Sequence, residues 1–172
     1  MGATRIIAET ERLTIRPLAE ADIPALASIW TDTHVTQFMG GPRDFERLCA
    51  SFKEDLGAPP SQFDLWPVLE KNSGTVAGHC GLLQKTVEGR DEIELVYVIA
   101  SAFWGRGYAT EAATALRDYS FQHLRIARLV SLIDLANAAS ARVALKLGMK
   151  LEANTIGPNG KTMGVYAVAR PQ

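Results

Sequence analysis

The stretch from Glu94 to Ala112 limits the fold more than any other, because an apolar strand there runs into a loop holding Gly105 and Gly107, and that loop opens a helix. The first amides of a helix have no partner inside it and carry the positive end of its dipole, and glycine lets the backbone approach a ligand closely. The chemistry implied is capture of an anion such as phosphate by backbone amides; an ordinary strand-to-helix connection is the plainer alternative. A Rossmann dinucleotide pattern requires Gly or Ala where Thr110 stands, and its strand would start a doubly wound sheet, whereas this one arrives through a meander. Gly157-Pro158-Asn159-Gly160-Lys161-Thr162 has the composition of a P-loop, but its glycines are too close and it joins two strands, so it reads as a hairpin turn.

Hydrophobic spacing predicts the surrounding elements. Thr10 to Leu18 reads as a first strand, Asp22 to Thr31 as a short amphipathic helix capped by Asp22, and Pro42 to Leu56 as a second helix ended by Gly57. Three strands follow as an antiparallel meander: Phe63 to Glu70, Val76 to Gln84 and Glu92 to Ile99. Pro67 cannot donate a ladder hydrogen bond, so its strand is expected to be bulged or at an edge there. A helix from Gly105 to His123 puts Ala109, Ala112, Ala113, Leu116 and Ser120 on one close-packing face. Arg128 to Leu135 returns as a strand, which makes a right-handed parallel crossover. Asn137 to Leu147 is then a helix, and Lys150 to Ile156 and Thr162 to Val168 a closing hairpin. The fold class is α+β, with about seven strands.

The 172 residues, 47% hydrophobic and 22% charged, suit one soluble domain spanning 1–172. A net charge of -1 gives no basis for nucleic acid or an anionic membrane as a partner. Cys49 and Cys80 form no CxxC pair and His34, His79 and His123 have no metal-ligand spacing, so no metal is expected. The amino terminus from Met1 to Ile6 has no apolar core of a signal peptide, and Ile6 stands where a myristoylation signal needs Ser or Thr. No apolar run approaches bilayer-spanning length, and a cytoplasmic location is expected.

Trp104-Gly105-Arg106-Gly107-Tyr108-Ala109 resembles the pyrophosphate loop Gln/Arg-x-x-Gly-x-Gly/Ala of the GNAT acetyltransferases, with Trp104 in place of Gln or Arg. Continued through Thr110, Glu111 and Ala112, the wording is similar to the branch that acetylates amino termini of ribosomal proteins. Asn137, Ser140, Arg142, Val143, Lys146, Gly148 and Met149 resemble the family's second signature, Asn-x-x-Ser-x-Arg-Val-x-x-Lys-x-Gly-Phe. Thr10 to Leu18 resembles its opening strand, and Trp30 to Asp32 with Val35 the segment after its first helix, so the likeness covers nearly the whole chain. It implies a mostly antiparallel central sheet with helices on both faces and a splay between strands four and five. It implies acetyl-CoA as co-substrate, with the backbone near Val98 holding the pantetheine and the thioester carbonyl. Gly105, Arg106, Gly107, Tyr108, Ala109 and Thr110 would take the pyrophosphate, and Asn137 would bond the pantetheine arm, although a helix cap explains Asn137 fully. Arg142 and Lys146, four residues apart, would reach cofactor phosphate or form a solvated basic stripe. Dimers are common in proteins of this resemblance, so a homodimer is a possible assembly.

An amine must lose a proton before it attacks a thioester, which asks for a carboxylate in the cleft. Glu94 lies four residues before Val98, and strand period two puts both on one face; many members of the resembled family carry Glu here. Glu92 shares that face and is the rival, and a solvated sheet face is the plain alternative. The family's usual acid, a Tyr, falls here on Ala144, which leaves Ser140 one turn earlier to protonate the leaving thiolate or merely to support the helix start. Trp104 reads as a packed aromatic, His79 and Cys80 as sheet residues, and Trp30, Phe38 and Trp66 as core rather than pocket wall. The leading function is transfer of an acetyl group to a primary amine, on a protein amino terminus or a small molecule, in a ternary complex. The alternatives are a non-catalytic acyl-CoA-binding regulatory module and a nucleotide-dependent transferase.

Overall fold

A computed structural model of the chain describes residues 5–172; of the amino-terminal stretch Met1 to Ile6 read above, Met1 to Thr4 lie outside the described residues. The strands are β1 (Ala8–Glu9), β2 (Leu13–Ile15), β3 (Leu65–Glu70), β4 (Val76–Val87), β5 (Arg90–Ile99), β6 (Arg128–Asp134), β7 (Lys150–Ile156) and β8 (Thr162–Ala169). The helices are α1 (Ile23–Thr31), α2 (Thr33–Thr36), α3 (Phe45–Leu56), α4 (Tyr108–Gln122) and α5 (Ala138–Lys146). One sheet orders the strands β1-β2-β3-β4-β5-β6-β8-β7, antiparallel throughout except for the β5–β6 pair. No helix among the described residues is long and apolar enough to cross a membrane.

The sheet has eight strands where about seven were expected, because the opening strand is a small hairpin. Thr10 closes it: its amide donates to the Leu13 carbonyl at 2.9 Å and its hydroxyl accepts from the Leu13 amide at 2.9 Å. Asp22 does not cap α1, as its carboxylate is engaged by the Arg16 guanidinium at 2.7 and 2.9 Å and by the Ala19 amide at 2.8 Å. The helix expected from Pro42 is α3 and starts at Phe45, because Asp44 supplies the cap by accepting from the Arg47 amide at 2.8 Å; the short α2 precedes it. Pro67 sits on an interior strand with a bulge one residue on, between Val68 and Leu69, and not at an edge. Its carbonyl accepts from the Arg16 amide just past the end of β2, so the position without an N–H falls at the end of the β2–β3 ladder.

Helices cover both faces. Ala112, Ala113, Leu116 and Ser120 of α4 are fully buried, small enough to bring the helix close to Leu95 and Leu129. On the other face Leu26 of α1 and Phe52 of α3 pack with Val76 and Val98. The β4–β5 meander turns on Glu88 and Gly89 alone, both at positive φ, the conformation that fits the twist of a two-residue hairpin. Beyond it, β5 and β6 pair in parallel only at Glu94 and Val130, and the sheet then opens.

His79 is buried on the α1/α3 face, where its Nδ1 accepts from the Trp30 indole N–H at 2.9 Å and Phe52 meets its ring edge-on. Burial disfavours the charged ring and moves its pKa down to about 4 from 6.5. A histidine depressed in the folded state binds its proton on unfolding, so its stabilisation is present above pH 6.5 and is lost as pH falls toward 4. Thermal stability should therefore drop between pH 7 and 5, by up to about 2 kcal/mol from this group. His79→Gln should flatten the profile in that window, which melting curves across pH would read; an unchanged profile would clear His79 of the effect.

Candidate active site

Where β5 and β6 part lies an open cleft of about 890 Å³. Its walls are the ends of the two strands, the loop into α4, the start of α5, the segment after α1 and the β7–β8 turn. Gly105 and Gly107 have φ of 76° and 79°, a conformation costly for any side chain, and a Cβ at Gly105 would meet nothing within 4 Å. The backbone conformation, and not crowding, is what requires glycine there. Gly107 stands at the N-terminus of α4 with no side-chain cap, so the first amides of a 15-residue helix face the cleft unpaired by any side chain.

Side chains of the same loop hold it in place. The Tyr108 hydroxyl donates to Glu70 at 2.5 Å, Arg12 lies over the Tyr108 ring at 4.6 Å, and Arg12 in turn pairs with Glu111 of α4. Arg106 reaches Glu70 at 3.4 Å and lies over Phe103 at 5.0 Å, so its guanidinium turns away and only its backbone is offered to the loop. Every other residue predicted for the site lines the cleft: Glu94, Val98, Gly105, Gly107, Tyr108, Ala109, Thr110, Asn137, Ser140 and Arg142, with Lys146 beside them. Asn137 caps α5 by accepting from the Ser140 amide at 3.1 Å, which leaves its side-chain N–H2 as a donor.

The two carboxylates on the β5 face have different surroundings. Glu94 is 12% exposed, accepts from the Leu132 amide at 3.4 Å and has the Lys85 ammonium at 3.8 Å. Burial pushes its carboxyl above the ordinary range, with Lys85 and the Leu132 amide opposing. Glu92 is held by both oxygens to Arg128 at 3.2 Å and does not line the cleft.

Tyr97 was not foreseen. Its hydroxyl donates to the Ser140 carbonyl at 2.9 Å and accepts from the Ser140 hydroxyl at 3.2 Å, and burial pushes the phenol up to about 12, so it stays protonated at neutral pH. In sequence it alternates with Leu95 and Ile99 as a core residue; the one signal was a hydroxyl on a strand expected to lose its neighbour. Trp104, read as packed, is 50% exposed and lines the cleft, anchored by its indole N–H to the Ile99 carbonyl at 2.8 Å. Phe38 also lines the cleft and is not a core residue, whereas Trp66 is buried.

The family model for the acetyltransferase (GNAT) domain matches residues 12–150. The uncharacterized protein YkkB of Bacillus subtilis (strain 168) is 32% identical over 162 residues, covering 91% of this chain and 92% of that protein. The crystal structure of a GNAT-family acetyltransferase from Bacillus anthracis superposes with a TM-score of 0.82 at 24% identity, covering 96% of this chain and 99% of that one. RimL, a ribosomal L7/L12 alpha-N-protein acetyltransferase in complex with coenzyme A, superposes with a TM-score of 0.78 at 19% identity, over 96% and 98% of the two chains. With a parted sheet, a glycine loop opening a helix at the gap and the family pattern running through both, the chain belongs to the GNAT family of acyl-CoA-dependent acetyltransferases.

Proposed function

We propose that the protein transfers the acetyl group of acetyl-CoA directly to a primary amine, on a protein amino terminus or a small molecule, within a ternary complex. The observation that carries this reading is Glu94, a shielded carboxylate in the same cleft as the glycine loop. The residues suit an acyl-CoA: the free amides of α4 and the N–H2 of Asn137 are donors for its phosphates and amides, and Arg142 and Lys146 add positive charge. Bound there, acetyl-CoA supplies an activated acyl group as a thioester.

The amine enters between the segment after α1 and the β7–β8 turn, where Val35, Phe38, Ile156 and Met163 give apolar walls. Glu94 takes the proton of the entering ammonium, directly or through a water, and its raised affinity for protons suits it to that work near neutral pH. Tyr97 and Ser140, bonded to each other, supply the proton for the departing thiolate. Direct transfer is favoured because neither cysteine lines the cleft, and the Cys80 thiol is pushed up to about 12 by burial, which leaves little thiolate.

An acetyl-CoA turnover screen against amines and amino-terminal peptides, read by mass, tests the reading. Release of CoA with a matching acetylated product supports it; tight binding without turnover across the panel would indicate a binding module. Tyr97→Phe should lower kcat by roughly 10-fold with little change in acetyl-CoA affinity, and Ser140→Ala should do the same. Since the two hydroxyls act as a unit, the double variant should be little worse than the poorer single one. Unchanged kinetics in both singles would assign the pair to holding the α5 start.

A further inference from the structure

We infer that Lys85 is itself an acyl acceptor: when no amine substrate occupies the cleft, the protein acetylates this lysine and so caps its own acceptor site. The inference rests on the reading of Glu94 as the base. Lys85 lies on β4 opposite Glu92, but Glu92 is already held by Arg128, and the Lys85 ammonium instead leans along the strand to Glu94 at 3.8 Å. That separation is an ion pair without a formed hydrogen bond, so the Oε2 oxygen that faces Lys85 stays open to accept a proton while Oε1 accepts from the Leu132 amide. Lys85 lines the same cleft as Val98, Gly107 and Thr110, and its side chain is 42% exposed, on a flexible stem free to swing. A primary amine is thereby tethered beside the base, and tethering gives it a far higher effective concentration than a diffusing amine has.

The other lysines near the site lack one part of this arrangement. Lys146 lines the cleft but forms no ion pair with a carboxylate among the described residues, and Lys161 pairs with Asp134 at 3.8 Å but does not line the cleft. Lys85 combines both features. In the transfer, Glu94 takes one proton from the Lys85 ammonium and the freed Nζ lone pair forms a bond to the thioester carbonyl carbon. The carbon–sulfur bond breaks with its electrons on sulfur and the thiolate takes a proton from the Tyr97–Ser140 pair or from water; of the two protons still on Nζ, one is lost through water to replace that proton and the other stays as the amide N–H. The products are Nε-acetyl-Lys85 and free CoA. The neutral amide then occupies the space of an incoming amine and removes the cation that faced Glu94, so the modification limits turnover.

The test is peptide mapping by mass over time, with the full-length protein and acetyl-CoA but no added amine. Lys85 should gain one acetyl group at least about 10-fold faster than Lys161, at a rate independent of protein concentration, as expected for a step within one molecule. Glu94→Gln should remove that excess, with a thermal melt verifying that the variant is folded, and Lys85→Arg should remove the fast-forming acetyl group from the intact mass. Labelling of Lys85 no faster than of Lys161, or an excess that survives Glu94→Gln, overturns the inference. If Glu94→Gln loses amine turnover while the unaltered protein shows no excess at Lys85, the base reading stands and this inference alone fails. If Glu94→Gln keeps full amine turnover, the base reading fails with it.

Discussion

Glu94→Gln is expected to lower turnover by roughly 10²-fold or more at neutral pH while leaving acetyl-CoA affinity in place. The substitution keeps the shape of the side chain and can still accept from the Leu132 amide, but it cannot take a proton. The size follows from what general bases contribute, and burial raises the proton affinity of Glu94 in the direction that work needs. The pH dependence fixes the sign. Burial raises the carboxyl above its ordinary value, the active form is the carboxylate, and activity is therefore lost as pH falls through the raised value. In kcat/KM profiles that acidic limb should vanish in Glu94→Gln, with partial recovery of rate as pH rises and more of the amine arrives deprotonated. Glu92→Gln breaks the Arg128 pair outside the cleft and should keep the limb. If Glu92→Gln loses turnover and Glu94→Gln does not, the base is Glu92.

Gly107→Val should abolish the stabilisation of the protein by acetyl-CoA. A ligand bound only by the folded state adds RT ln(1 + [L]/Kd), about 2.7 kcal/mol at a hundredfold excess over Kd, or roughly 5–10 °C in Tm for a chain of this size. Two effects combine in the variant. A β-branched residue is strained at the φ of 79°, and its Cβ would meet the Arg12 guanidinium at 3.6 Å, crowding the helix start where an anion must approach the amides. Strain alone lowers the starting Tm but leaves the shift on ligand addition; blocked approach removes the shift. Gly107→Ala separates them, since it carries the strain with much less bulk, and it should retain part of the response. A folded Gly107→Val protein that responds undiminished would remove the phosphate-binding role from this loop.

The features legible in sequence are those set by neighbours a few residues apart. The strand, glycine loop and helix from Glu94 to Gln122 follow from apolar spacing and from two glycines whose positive φ no other residue adopts cheaply. Asn137 was readable as a cap for the same reason, because its partner Ser140 is three residues away. Asp22 was misread because a carboxylate before a helix has local and distant uses that look alike in sequence, and here Arg16 holds it. Strand period two put Glu92 and Glu94 on one face and went no further. Arg128, from a strand 36 residues away, draws one of them out of the cleft and leaves the other in it. Tyr97 and Ser140 meet across 43 residues, and only because β5 and β6 separate after a single paired register. The sequence by itself determined the order and type of the elements and the backbone that opens α4, since local sterics and periodicity act within a turn or a strand. Which carboxylate faces the cleft, which hydroxyls touch, and which lysine stands beside the base were decided by tertiary structure, because contacts between distant strands depend on a register and a parting that no local pattern encodes.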